Sequence, residues 1–339
     1  MAQALVDQTA ANLSETLTIA MSHDPTQHRA MIVFDRDSAA ACLLEQAYRR
    51  AAPAAEFWNF AEVDSATLVA AFATLAAHDL VVLVQTQSFR PEGFRIRVEL
   101  FKRNIKVLEH SNLARINDAV ELERYVGALA YDAAYYRGVG HALKNVVDGA
   151  AQLALIGDGT ALQVAGGVEP AKINLGDFAT LPNTGSLFPI GEIFTEAANL
   201  ERVEGSVGLF AFADLLGNMN FVEQPIILQI RAGRVVATEG ATPAFTEVID
   251  GITAAEGEVW VRELGFGMNR AFGRDARVSD VGAFERMCGM HLSLGAKHGV
   301  YRKPGMRHKD ARYHVDVFPT VRAVEVDGRN IFIDGAWQP

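Results

Sequence analysis

RAMIVFD at residues 29–35, DLVVLVQTQ at 79–87 and IKVLEHSN at 105–112 decide the fold of the first half of this 339-residue chain. The first two are short, continuous apolar runs, too short for a buried helix and without the alternation of a half-exposed strand, and the third is another short strand. Such runs suit strands covered on both faces. DSAAACLLEQAYRRAA (37–52), SATLVAAFATLAAHD (65–79) and RIRVELFKRN (95–104) lie between them, with apolar residues at the three- and four-residue spacing of helices. AEFWNF (55–60) is a further short strand. Strands alternating with helices of this length predict βαβ units and a parallel sheet. No G-x-G-x-x-G follows the first strand, so nothing calls for a dinucleotide.

Residues 118–148 repeat apolar and aromatic residues at helical spacing, which predicts one long connecting helix with most of its tyrosines in packing roles. From residue 151 the pattern changes. ALQVAGG (161–167), GSVGLFAFAD (205–214), PIILQIRAGRVVATEG (225–240), GEVWVRELGFGMN (257–269) and RAVEVDGRNIFIDG (322–335) are short strands punctuated by glycine, with hairpin turns at 231–234 and 326–329. The expected class is α/β plus α+β. Residues 1–150 form an α/β domain with a parallel sheet, and residues 151–339 a mostly antiparallel, β-rich catalytic domain.

Composition narrows the function. A net charge of −10 argues against a nucleic-acid partner. The N-terminal segment has the polar interruptions of an amphipathic helix rather than the apolar core of a signal peptide, and no run approaches the ~20 apolar residues of a membrane span. Cys42 and Cys288 stand far apart, so a disulfide framework is not expected and a cytoplasmic setting fits. The basic stretch 297–312 suits either a solvated loop or the attraction of an anionic substrate.

The chemistry gathers near the C-terminus. Of nine histidines, His291, His298, His308 and His314 fall between residues 291 and 314. His314 and Asp316 are two apart on a predicted strand and point to one face. His291 lies on another apolar run that can pair alongside, completing a facial two-His, one-carboxylate set. Glu192 and Glu263 sit among apolar residues and glycines, where a carboxylate is costly unless paired or coordinated, with Arg262, Arg270 or Arg286 as candidate ion-pair partners.

In chain order, GEIFTEAANLERVEGSV (191–207), RELGFGMNR (262–270), HLSLGAKHGVY (291–301), YHVDVF (313–318) and VDGRNIFIDGAW (326–337) resemble the aminopeptidase T family of metallopeptidases. EHSNLARI (109–116) and ALAYDAAYY (128–136) resemble it more loosely. The resemblance implies an N-terminal α/β domain over a C-terminal catalytic domain, a homodimer, and two Zn or Co ions held by a set that includes Glu192, Glu263, His291, His314 and Asp316. Two positions depart from it. Arg286 stands where the family has a metal-binding glutamate, with Glu285 one residue away, and His298 stands where it has a catalytic tyrosine.

In that respect the sequence is similar to the 2,5-dihydroxypyridine 5,6-dioxygenases, a branch of the same fold. Those enzymes hold a single Fe(II) with two histidines and an aspartate and open the ring with O2. Carried over, His291, His314 and Asp316 are iron ligands. Glu192, Glu263, His298 and His110 are acid–base or substrate-handling groups, Arg286 neutralises an anionic substrate, and Tyr301 is a further substrate contact. The expectation is thus a mononuclear non-haem Fe(II) dioxygenase, an oxidoreductase cleaving a small hydroxylated aromatic or N-heterocycle with O2. The alternative is a dinuclear Zn or Co metalloaminopeptidase, and a non-catalytic binding protein of the same fold stands third.

Overall fold

A computed structural model describes residues 3–179, 185–304, 306 and 310–339. Its internal contacts divide the chain into two units, Met1–Arg137 with Asn174–Ile190, and Gly138–Ile173 with Gly191–Pro339.

The first unit is the α/β part. Its strands lie in the order Glu56–Asn59, Ala30–Phe34, Leu80–Val84, Lys106–His110 and Gly185–Leu187, and every neighbouring pair is parallel. Leu80–Val84 is buried along its whole length, as its unbroken apolar run requires. On one face Met31, Val33, Val81, Leu83 and Val107 pack with Leu68 and Phe72 of helix Ser65–Ala73 and with Ile96 and Leu100 of helix Ile96–Phe101. Helix Ala39–Ala51 packs on the sheet as well, and helix Gln3–Glu15 packs against it. These helices start where the sequence supplies a cap. Ser38 Oγ accepts the Ala41 N–H, and Asp64 Oδ1 accepts the Thr67 N–H.

The long helix expected over 118–148 is broken in three. Helix Ala119–Ala128 ends, a π-helical turn spans Ala134–Val139, and helix Gly140–Asp148 follows. Asp132 Oδ1 accepts the Tyr135 N–H and so starts a new helical segment within the stretch. Tyr125, Tyr131 and Tyr136 are buried, in line with the packing role expected of them.

The second unit is built on a 13-stranded sheet. Both predicted hairpins close with two residues in the left-handed region, Ala232 and Gly233 (φ 48° and 74°) and Asp327 and Gly328 (φ 51° and 80°). That is the turn whose twist matches paired strands. At the centre of interest are four neighbouring antiparallel strands, Val315–Pro319, Gly289–Leu294, Val261–Gly267 and Glu192–Glu196. Among the described residues no helix is long and apolar enough to cross a membrane.

Candidate metal centre

Each of the four strands contributes one side chain to a common face. The ladder sets Gly265 opposite both Phe194 and His291, Gly267 opposite Glu192, Glu263 opposite Glu196, and Asp316 opposite Ser293. Directly paired residues share a face, as do residues two apart on a strand. Glu192, Glu263, His291 and Asp316 therefore point the same way, whereas His314, expected on one strand with Asp316, lies just before Val315–Pro319. All four are buried, His291 completely.

Two glycines make the convergence possible. A Cβ on Gly265 would lie 1.9 Å from His291 Cε1 and 2.1 Å from Nε2, so the imidazole lies flat on the bare α-carbon. A Cβ on Gly267 would lie 2.0 Å from the Met287 carbonyl oxygen and 2.9 Å from that of Arg286. The turn after helix Val281–Phe284 rests there, pinned by Asn269 N–H donating to the Arg286 carbonyl at 2.8 Å. The close seat brings Glu285 and Arg286 into the site.

His291 Nε2 lies 3.4 Å from Glu192 Oε1 and 3.3 Å from Glu263 Oε1. Ligand atoms of Glu192, Glu263 and His291 all fall within 4.8 Å of one another, and the same holds for Glu285, His291 and Asp316. Arg286 Nη1 lies 3.4 Å from Glu192 Oε2 and also touches Glu285 Oε1. His314 Nδ1–H donates to the Lys297 carbonyl at 3.2 Å, which turns Nε2 toward Asp316 Oδ1 at 3.2 Å. His298 Nδ1 accepts the N–H groups of Val300 and Tyr301, so its proton sits on Nε2. That Nε2 is 2.9 Å from Glu263 Oε2 but not aligned on it, and it remains a buried donor without an acceptor.

The electrostatics follow from burial competing with pairing. Burial pushes the Glu192 carboxyl above its ordinary value, against the pull of Arg286 and His291. Glu263 is buried too, yet the imidazoles of His291, His298 and His314 beside it outweigh desolvation and hold it below the usual carboxylate range. Burial opposes the charged form of His291, but Glu263, Glu192 and Asp316 raise it. His314 is lifted to about 9, against desolvation, chiefly by Asp316 and Glu263.

These residues fit a divalent cation. His291 Nδ1 is buried without a hydrogen-bond partner among the described residues, and carboxylates outnumber the fixed cations around it. An oxygen and imidazole donor set without thiolate suits Zn, Co or Mn. Glu192, Glu263 and His291 would hold it, with Glu285 and Asp316 adjoining.

The remaining sequence candidates are placed as follows. His314 pairs with Asp316 but stands outside both three-residue groups. Tyr301 turns its hydroxyl away, donating to the Pro170 carbonyl at 2.7 Å, and burial pushes it up to about 12. Arg286, read from the sequence as an ion-pair partner or a substrate contact, pairs with Glu192, whereas Arg262 pairs with Glu196. Lys303, from the basic stretch, pairs with Glu169 and Glu196, and His308 lies outside the described residues. His110 belongs to the first unit, where its ring is held between the Tyr48 hydroxyl at 2.7 Å and the Tyr125 hydroxyl at 3.0 Å, and burial lowers it to about 3. Glu285 is the residue that strand geometry discounts. A one-residue offset reverses a side chain on a strand, but Glu285 caps a four-residue helix, where that rule does not apply.

No family model and no curated protein matches the sequence. Among solved structures, wild-type AmpT from Thermus thermophilus shares the fold, with a TM-score of 0.59 at 16% identity over 97% of this chain and 98% of that one. AmpT is an aminopeptidase T, and the aminopeptidase T-type architecture expected from the sequence is thereby confirmed as a fold. The expected Fe(II)- and O2-dependent dioxygenase, and with it the oxidoreductase class, is corrected. A solved structure that matches nearly the whole chain, AmpT, is an aminopeptidase. The two glutamates that the oxygenase reading set outside the metal site are the ones converging on His291.

Proposed function

We propose that this chain is a metal-dependent aminopeptidase that removes the N-terminal residue of a peptide. The observation that carries this is the buried convergence of Glu192, Glu263 and His291 on adjacent strands, in a fold shared with an aminopeptidase. Glu192, Glu263 and His291 would hold a divalent cation, which when bound would supply Lewis-acid chemistry to the scissile carbonyl and to the attacking water.

The protein's own groups do the rest. His314 is held through Nδ1–H by the Lys297 carbonyl, and as the imidazolium that Asp316 favours it presents Nε2–H as a proton donor. His298 presents an Nε2–H held in place by two main-chain amides and lacking an aligned acceptor. A donor of this kind stabilises negative charge as it develops on the carbonyl oxygen. Glu192, Glu263, Glu285 and Asp316 face one guanidinium, that of Arg286. The surplus negative charge favours the ammonium of a free N-terminus over a carboxylate.

The test is a panel of short peptides with free or acetylated N-termini, assayed after reconstitution with Zn, Co or Mn. Release of the first residue from the free peptides alone is expected. Failure to cleave any peptide with any of the three ions would end the proposal.

A further inference from the structure

Arg286 is buried, 4% exposed, and its position is unusual for a charged side chain. A single nitrogen, Nη1, touches one carboxylate from each of the two candidate ligand groups, Glu192 Oε2 and Glu285 Oε1. Neither Nη1 nor Nε makes an aligned hydrogen bond. The guanidinium thus acts here as a fixed positive charge rather than as a fork of donors. Its backbone is seated on Gly267, whose missing side chain leaves no slack for the turn to lift away.

We infer that the guanidinium of Arg286 takes the place of a second metal ion, so that the chain binds one divalent cation, at Glu192, Glu263 and His291. The two groups share His291, and only a few ångströms separate them. An ion at Glu285 and Asp316 would have to displace Nη1 from Glu285 and then sit beside a permanent charge, since arginine does not deprotonate in proteins. Four carboxylates balanced by one guanidinium and one divalent ion leave the pocket mildly negative. A second divalent ion would make it positive among buried groups, where like charges repel strongly. Arg286 also holds Glu192 by its second oxygen, leaving Oε1 directed at His291. The inference rests on the metal-binding part of the proposal above and not on the peptidase activity.

The experiment is metal counting, by equilibrium dialysis and atomic absorption with Co(II) or Zn(II), on wild type, Arg286→Glu and Arg286→Gln. Co(II) absorption gives a second readout. Wild type is expected to bind one ion per chain, with any second ion at least 100-fold weaker. Arg286→Glu, which replaces the charge by an oxygen ligand, should bind two and add a second set of Co(II) bands. Two tight ions in wild type, or none, would overturn the inference. So would a single ion in an Arg286→Glu protein of native circular dichroism. Should that variant not fold, Arg286→Gln decides the matter, because loss of the charge alone should strengthen the second ion at least tenfold and an unchanged second affinity refutes the inference. Peptide cleavage enters none of these measurements, so an inactive protein with one ion would count against the proposed function alone.

Discussion

Replacing Gly265 by alanine should disconnect His291 from the metal. The new Cβ would lie 1.9 Å from Cε1, 2.1 Å from Nε2 and 2.5 Å from Nδ1 of the imidazole. Carbon atoms in contact sit about 3.5 Å apart at the closest, so the ring must retreat by roughly 1.5 Å. Metal–ligand distances tolerate about 0.2 Å, so a displacement of this size removes a ligand rather than weakening one. His291 is fully buried, so moving its ring means repacking its neighbours, at an overpacking cost of about 1–3 kcal/mol. Competition with a chromogenic chelator should show the first-ion Kd raised by about 100-fold or more, above the 10–100-fold typical of losing a supporting contact. Gly273→Ala is the control, because a Cβ there meets nothing within 4 Å. A Gly265→Ala protein whose Kd stays within threefold of wild type would refute the assignment of His291 as a ligand.

Four further outcomes are expected. His298→Phe should lower kcat by about 10²–10³ while the ion count stays unchanged, as for loss of a preorganised donor to a developing oxyanion; a lost ion instead would make His298 a ligand. Dialysis against a chelator should lower the thermal midpoint, because an ion at 100 times its Kd contributes about 2.7 kcal/mol; an unchanged midpoint would mean that the buried carboxylates do not hold an ion. His110 is held near 3 in the folded chain against 6.5 when unfolded, so between those values the unfolded state binds the extra proton. Its contribution is complete above pH 6.5 and is lost as pH falls toward 3, at about 1.4 kcal/mol per pH unit; urea unfolding at pH 6.5 and pH 5 should show about 2 kcal/mol more acid loss in wild type than in His110→Gln, and equal slopes would refute it. Glu196→Ala leaves buried Arg262 unpaired and should cost about 3–5 kcal/mol, whereas Glu196→Leu with Arg262→Met should recover most of that loss.

The α/β half was legible because buried parallel strands need unbroken apolar runs, and 80–84 is one. The hairpins at 231–234 and 326–329 were legible for an equally local reason, since glycine at those positions accepts the left-handed backbone that the turns demand. His314 and Asp316 could be put on one face from spacing alone, but which other side chains meet them depends on strand order, and order is not written in local pattern. Gly265 and Gly267 illustrate the limit. In the sequence they punctuate RELGFGMN, and only the ladder shows that one lies beneath an imidazole and the other beneath a peptide turn. The role of Glu285 depended on a short helix that no periodicity reveals. The oxygenase reading weighed the change at 286 more heavily than the retention of Glu192 and Glu263, and the geometry reverses that weighting.

The first sheet is completed by Gly185–Leu187, which pairs with Lys106–His110 only after the chain has passed through residues 138–173. A nascent chain released up to residue 137 therefore carries a sheet with an open edge at Lys106–His110, an invitation to pair with another chain. That edge stays bare for about fifty more residues of synthesis, on the order of several seconds at ribosomal rates of ~5–20 residues per second. A fragment ending near residue 137 or 150 inherits the same edge permanently, so dissection of this protein into halves is expected to yield an aggregating N-terminal piece unless residues 174–190 are supplied with it.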